Sequence, residues 1–240
     1  MSRLFILRKR LGSLVIVLLC CAVCFACPIK VCADGENATA QQNKIGLTEE
    51  DENSLYSNFI ELGINSEVAE YLVQKYKSTG LIDAIDERKE PEYVQVEDEY
   101  VRRVYADGSV NLSSCFMIES EGAAQISPQS VTRGKWTSGS NWWNMTGGKA
   151  YYNSGVVVCS FYFDASGSQG RSATIESVYE PYIRSIGWNV SDISLVKVNS
   201  HHARLGFVLN TSGGVLPAST TCYLHLYVNG NDNMYTEFDS

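Results

Sequence analysis

A chain of 240 residues, 45% hydrophobic and 19% charged, is long enough to bury one or two cores. Its apolar content is too high, and its Gly and Pro too few, for a collagen-like or wholly disordered chain. Acids outnumber bases 27 to 19, and no Lys/Arg stripe follows residue 30, which excludes a basic nucleic-acid binder.

Residues 1–33 have the form of a secretory signal. Arg3, Arg8, Lys9 and Arg10 make a positive start of the kind exported Gram-positive proteins carry. Leu11 to Ala26 is apolar and shorter than the ~20 residues a spanning helix needs. Val31 and Ala33 put small residues at the −3 and −1 positions, so cleavage is expected between Ala33 and Asp34. An uncleaved anchor is the alternative. Cleavage would leave a secreted, extracellular chain with no stable membrane span. It removes five bases and no acids, leaving 14 bases against 27 acids, a charge of −13. Five of the eight cysteines leave too, and Cys115, Cys159 and Cys222 remain.

Residues 34–46 lack periodicity and read as a disordered lead-in. Residues 47–82 read as an acidic helical hairpin. Thr48 can cap a first helix, with Glu49, Glu50 and Asp51 at its positive end. Leu55, Phe59 and Leu62 share one face, and Gly63 stops it. Ser66 is expected to cap a second helix, striped by Val68, Tyr71, Leu72 and Tyr76 and ended by Gly80. A hairpin this small needs something to lean on. Residues 83–100 read as a charged connector holding Pro91. The charge is lopsided: residues 34–100 hold 17 acids and 5 bases, residues 101–240 hold 10 and 9.

From 101 to 240 the pattern alternates, and an antiparallel β domain is expected. Val101–Tyr105 and Val110–Ile118 flank the turn signal Asp107-Gly108. In Val156–Phe163, Val157, Cys159, Phe161 and Phe163 share a face. Ala203, Leu205, Phe207 and Leu209 alternate likewise, as do Cys222, Leu224, Leu226 and Val228. Gly213-Gly214 and Asn229-Gly230 punctuate them. Residues 175–186 stripe like a helix, but Pro181 interrupts it, so a turn or short helix is expected there, then an extended stretch from Tyr182. The fold class is therefore mainly β: an antiparallel β-sandwich or barrel preceded by a short α-helical hairpin.

The chemistry-bearing residues are sparse. Cys222 and His225 are three apart in a strand and point to opposite faces, so they cannot form a nucleophile–base pair. Cys159 and Cys222 sit on apolar faces, either as small buried hydrophobes or as partners in a sheet-to-sheet disulfide. His201-His202 falls between two strands and is expected in a solvated turn. No HExxH, P-loop or GxSxG is present, so no metal, cofactor or catalytic residue is assigned. The aromatics are the strongest signal: Trp136, Trp142, Trp143, Tyr151 and Tyr152 fall within 17 residues. Adjacent aromatics in a strand cannot both face the core, so one of each pair should point outward. Exposed rings mark binding surfaces. These five are the candidate ligand-binding residues.

The Tyr105–Ser109 turn, the stretch IESVYEPYIRSIGWNVSDISL (175–195) and Ala203-Arg204-Leu205 resemble an uncharacterised family, a domain of unknown function in small exported Gram-positive proteins. The acidic helical pair looks like that family's leader. The resemblance covers residues 48–240 and implies no catalytic residues. The Trp/Gly/Tyr-rich strands are also similar to the lactococcin class of small secreted β-sandwich bacteriocins. The expected role is a non-catalytic extracellular binding module whose partner is a cell-wall or host glycan, or another surface protein. One alternative is a secreted bacteriocin-like toxin with the acidic hairpin as propeptide. Another is an enzyme with Cys115 as nucleophile.

Overall fold

The computed structural model describes residues 46–97, 100–117, 134–168, 173–211, 219–228 and 233–240. The export segment with Ala33 and Asp34, residues 34–45 of the lead-in, and the Gly213-Gly214 and Asn229-Gly230 turns lie outside the described residues.

Two helices come first. The Thr48 hydroxyl accepts from the Asp51 N–H at 3.1 Å, and the Asp51 carboxylate accepts from the Thr48 N–H at 3.0 Å. This reciprocal pair opens α1, Glu49–Glu61. The second helix, α2, runs Ser66–Thr79. Its cap is Asn65 rather than the expected Ser66: the Asn65 side-chain oxygen accepts from the Val68 N–H at 3.0 Å. Gly80, at φ 73°, ends α2 in the left-handed conformation. A one-turn 3-10 helix, Asp83–Ile85, follows.

Strands begin earlier than expected, inside the charged connector. β1 (Tyr93–Val96) pairs with β2 (Tyr100–Val104), from Tyr93 opposite Val104 to Val96 opposite Val101. All four β1 side chains are exposed, so main-chain pairing and not burial makes this strand. Then come β3 (Val110–Met117), β4 (Lys135–Ser138), β5 (Trp143–Asn153), β6 (Val157–Gly167) and β7 (Thr174–Ser185). β8 (Trp188–Asn199), β9 (His202–Thr211), β10 (Ser219–Val228) and β11 (Asn233–Asp239) complete them.

The described strands pair antiparallel in the order β7-β6-β5-β3-β11-β10-β9-β8, with β2 on β3, β1 on β2 and β4 on β5. β3 serves both sheets: Val110–Ser114 pair with β2, and Cys115–Met117 pair with β11. Among the described residues no ladder joins β7 to β8, so the strands form a sandwich and not a closed barrel. The core lies between the sheets. Ala150, Tyr152, Cys159, Phe161 and Phe163 are buried on one; Leu205, Phe207, Cys222, Leu224 and Leu226 on the other.

Residues 175–185 are strand, not turn or short helix, and Ile186 lies in the bend that follows. The ladder between β6 and β7 shifts register twice, between Ser160 and Tyr162 and between Asp164 and Ala165. Each bulge advances the side-chain phase, and the sum imitates a helical stripe. Glu180 takes φ 52° and Pro181 follows it, opposite the first shift. A proline without an N–H is tolerated there because the bulge removes the ladder bond it could not make.

The hairpin leans on the strands. Asn58 Nδ2 donates to the Gly155 carbonyl at 2.7 Å, Tyr76 Oη to the Ile186 carbonyl at 2.7 Å, and Trp188 Nε1 to Tyr76 Oη at 2.7 Å. Two turn glycines permit the approach. Gly155 has φ 83°, and a Cβ there would stand 2.5 Å from the Phe59 ring. Gly108 has φ 81°, and a Cβ there would stand 2.6 Å from Val68 Cγ1. No helix among the described residues is long and apolar enough to cross a membrane.

Candidate functional site

The five aromatic candidates separate by alternation. Trp142, in the β4–β5 turn, is 52% exposed, and Trp136 on β4 is 38% exposed. Trp143 is only 3% exposed: its ring stacks under Trp136 at 4.8 Å and 15°, and a Cβ on Gly167 would stand 2.5 Å from it. Tyr152 is likewise 3% exposed, stacked on Phe238 at 4.0 Å with its hydroxyl donating to the Ala84 carbonyl at 3.1 Å. Trp143 and Tyr152 are therefore core and not ligand contacts, because the strand that turns Tyr151 outward turns Tyr152 in.

Tyr151 belongs to a wider array on the outer face of the first sheet. In register, Tyr151, Ser160 and Tyr182 form one row, and Lys149, Tyr162 and Tyr179 the next. Tyr100 meets Tyr151 edge-on at 6.0 Å, and Tyr162 stacks on Tyr179 at 6.1 Å. The Lys149 ammonium lies 5.3 Å from the Tyr151 ring centroid and 5.8 Å from that of Tyr162. Tyr182 is half exposed. Asp164 pins the array: its carboxylate accepts from the Gly147 N–H at 2.9 Å, Ser177 Oγ at 2.7 Å and Tyr179 Oη at 3.1 Å. Burial works to raise this carboxyl, but the three hydrogen bonds outweigh it and hold Asp164 below the usual range. Asn153 Nδ2 donates to Tyr151 Oη at 2.8 Å and fixes that ring. The result is a preorganised tyrosine surface with one cation and one anion.

Both core cysteines stand as free thiols, Cys159 on one sheet and Cys222 on the other. They pack as small apolar side chains. Burial pushes both thiols up, Cys222 to about 12, so neither is a thiolate at neutral pH. Cys115 pairs through its backbone with Tyr235, and its side chain lies outside the described residues.

No family model matches the chain, and no curated protein matches it. Among solved structures it is similar to hypothetical protein lmo2686 of Listeria monocytogenes EGD-e, at 21% identity and a TM-score of 0.32, over 57% of this chain and 91% of that one.

A second constellation occupies the outer face of the other sheet, and sequence reading missed it. His202 does not sit in a solvated turn; it opens β9, and its Nε2 lies 2.8 Å from His225 Nδ1. His225 Nε2 lies 3.3 Å from Asp239 Oδ2. Tyr227 stacks on His202 at 4.6 Å, and the Arg204 guanidinium lies over Tyr223 at 4.6 Å. Burial, then His225 and Arg204, hold His202 below its ordinary value; burial and Arg204 do the same to His225 against the pull of Asp239. Both imidazoles are neutral at pH 7, so one donates to the other. A carboxylate–imidazole–imidazole chain can orient a base. Among the described residues no hydroxyl or thiol is bonded to His202, and no group of three His, Cys, Asp or Glu is placed to hold a metal. The alternation of Tyr223, His225 and Tyr227 put them on one face in the sequence; only the cross-strand register brings His202 and Asp239 beside them.

Proposed function

We propose that the chain is an exported, non-catalytic binding module that holds a cell-wall or host glycan at the bacterial surface or outside it. The observation that carries this reading is the preorganised tyrosine array with its exposed ring Tyr182 on β7; Trp136 and Trp142 on the β4–β5 hairpin are further exposed rings. Flat rings offer large contact area at low entropy cost, and Lys149 supplies hydrogen-bond donors beside them. The basic start and the apolar segment Leu11–Ala26 support export. A surface protein is the other partner such rings could hold.

Sedimentation of the full chain with purified cell walls and insoluble polysaccharides tests the reading. The parent is expected to pellet with at least one of them. The double variant Trp142→Ala, Tyr182→Ala should fold, since both side chains are half exposed, and lose about tenfold or more in affinity. Equal pelleting of parent and variant defeats the aromatic-face reading. Pelleting only with walls that retain their proteins moves the partner from glycan to protein.

A further inference from the structure

The tyrosine face does not stop at its last ring. Tyr182 and Arg184 stand two residues apart on β7, so their side chains share one face of the strand. Both are exposed. Asn58, on α1, is buried and held at both ends of its amide. Its Nδ2 donates to the Gly155 carbonyl at 2.7 Å, and its Oδ1 accepts from Arg184 Nη2 at 2.7 Å. A buried side chain thereby aims an exposed guanidinium. Of its five N–H donors, one is spent on Asn58. Among the described residues no carboxylate lies within ion-pair distance of Arg184.

Arg184 forms one side of an open groove of about 790 Å³ whose other side is α1. That volume lies in the range of sites that take drug-sized ligands, about the bulk of a di- or trisaccharide. The groove follows α1 from Thr48 to Glu61, about 20 Å at the rise of an α-helix. Asn53, Ser57 and Glu61 recur at i, i+4 and i+8 and so share one face of the helix, with Ser54 beside them. The hydroxyls and the Asn53 amide donate and accept, Glu61 accepts and Arg184 donates. An apolar ligand finds no apolar side chain in this lining. The Glu61 end adjoins the tyrosine rows: burial first, and then charges that include Glu61, push the Tyr151 phenol up. An aromatic face thus runs on into a polar groove of mixed donors and acceptors.

We propose that the ligand of the tyrosine face is a linear glycan bound lengthwise, with one sugar unit on Tyr182 and the next units in the groove along α1. There Arg184 donates to a ligand oxygen and Glu61 accepts from a hydroxyl. The inference rests on the glycan reading above and adds a requirement of length, since a single terminal sugar on Tyr182 leaves the groove unused. It also makes the acidic hairpin part of the binding site.

The test is calorimetric titration of the full chain with oligomers of two, four and six units. The probes are chito- and cello-oligosaccharides, together with oligomers cut from whichever polysaccharide pellets the protein. Affinity is expected to rise about tenfold or more from two units to six. Arg184→Gln should abolish that rise while leaving the disaccharide within about twofold of the parent, and Tyr182→Ala should weaken every length. Should Arg184→Gln fail to fold for want of its bond to Asn58, Ser57→Leu carries the test, because it obstructs the groove from an exposed helix position. Equal affinity at two and six units, for a glycan that pellets the parent, overturns this inference and leaves the glycan reading standing. A rise with length that survives the groove variants places the extra units elsewhere and overturns it too. Failure of every polysaccharide to pellet the parent defeats the glycan reading and this inference with it.

Discussion

The helical hairpin and the strand region are held by different physics. The hairpin announces itself locally: a capping box at Thr48, a glycine in the left-handed conformation at Gly80, and an apolar stripe between. Yet its stability is not local. Its buried side chains, Leu55, Phe59, Leu72 and Tyr76, share the protein's core cluster with the strands. The strand region is the reverse. Each strand is weakly marked, and ladders between residues far apart in the chain supply its order. The acidic segment is thus tied to the sandwich by buried contacts, which weighs against a propeptide that leaves once cut.

The largest way to break this coupling is Phe59→Ala. The side chain is fully buried and packs beside the Gly155 turn. Truncation should cost about 3–5 kcal/mol. If the hairpin is integral, thermal unfolding stays a single transition at a lower Tm. If the strands keep their Tm while only the helical signal melts early, the hairpin is a separable unit and the propeptide reading gains.

Asp107→Ala attacks the same junction through its polar contacts. Asp107 Oδ2 accepts from Lys75 Nζ at 2.7 Å and from the Asp83 N–H at 2.9 Å, and its side chain is 5% exposed. Removal leaves the part-buried Asp83 N–H without its acceptor and takes one of two carboxylates from Lys75, which keeps Asp83 at 2.8 Å, for an expected loss of about 2 kcal/mol by denaturant titration. A loss within error of zero would show that the junction is solvated in solution.

Acid should separate the regions further. His202 and His225, in the strand region, have folded values below 6.5. Protonation therefore favours the unfolded chain. Their contribution is complete above pH 6.5 and lost as pH falls below it toward the lower folded values. Doubly protonated, the two rings also cannot keep their mutual hydrogen bond. Asp107, at the junction, is held below 3.8: burial works to raise it, but the Asp83 N–H, Lys75 and Ser109 outweigh that. Its contribution persists above pH 3.8 and is lost as pH falls through its folded value. Tm is expected to be flat from pH 6.5 to about 8, short of the range where the buried thiols matter, to decline below 6.5, and to decline again below 3.8. His202→Gln should shrink the first decline to the part owed to His225, which burial and Arg204 still hold low, and leave the second. A His202→Gln protein with the parent's whole pH profile would sink the assignment.

What was legible follows from range. Thr48, Gly63 and Gly80 act on neighbours three or four residues away, so the hairpin could be read with only its second cap misplaced, at Ser66 instead of Asn65. Alternation placed β6, β9 and β10, because one face of each is buried. It could not place β1, which buries nothing, nor β7, whose bulges scramble the period. The same limit governs the sites. Period two required one outward ring in each adjacent aromatic pair but did not say which. Tyr100, Tyr162 and Tyr179 joined Tyr151 only through register, and His202, His225 and Asp239 met the same way across three strands.

The smallest expected effect makes the finest test. Thr48→Ala removes the hydroxyl that accepts from the Asp51 N–H and touches nothing in the sandwich. It should cost about 1 kcal/mol. Where that cost appears is the informative part. Native-state hydrogen exchange reads the opening free energy of each amide. If the hairpin opens only when the whole chain unfolds, protection should fall by the same amount in α2 and in β6, far from the substitution. If the hairpin opens by itself, α1 and α2 should exchange with a lower opening free energy than β6 in parent and variant alike, because global unfolding, read at β6, carries the same loss on top. The buried bonds from Asn58 and Tyr76 to the strands favour the first outcome. A lower opening free energy in the helices than in β6 would mean that those bonds break before the sandwich does.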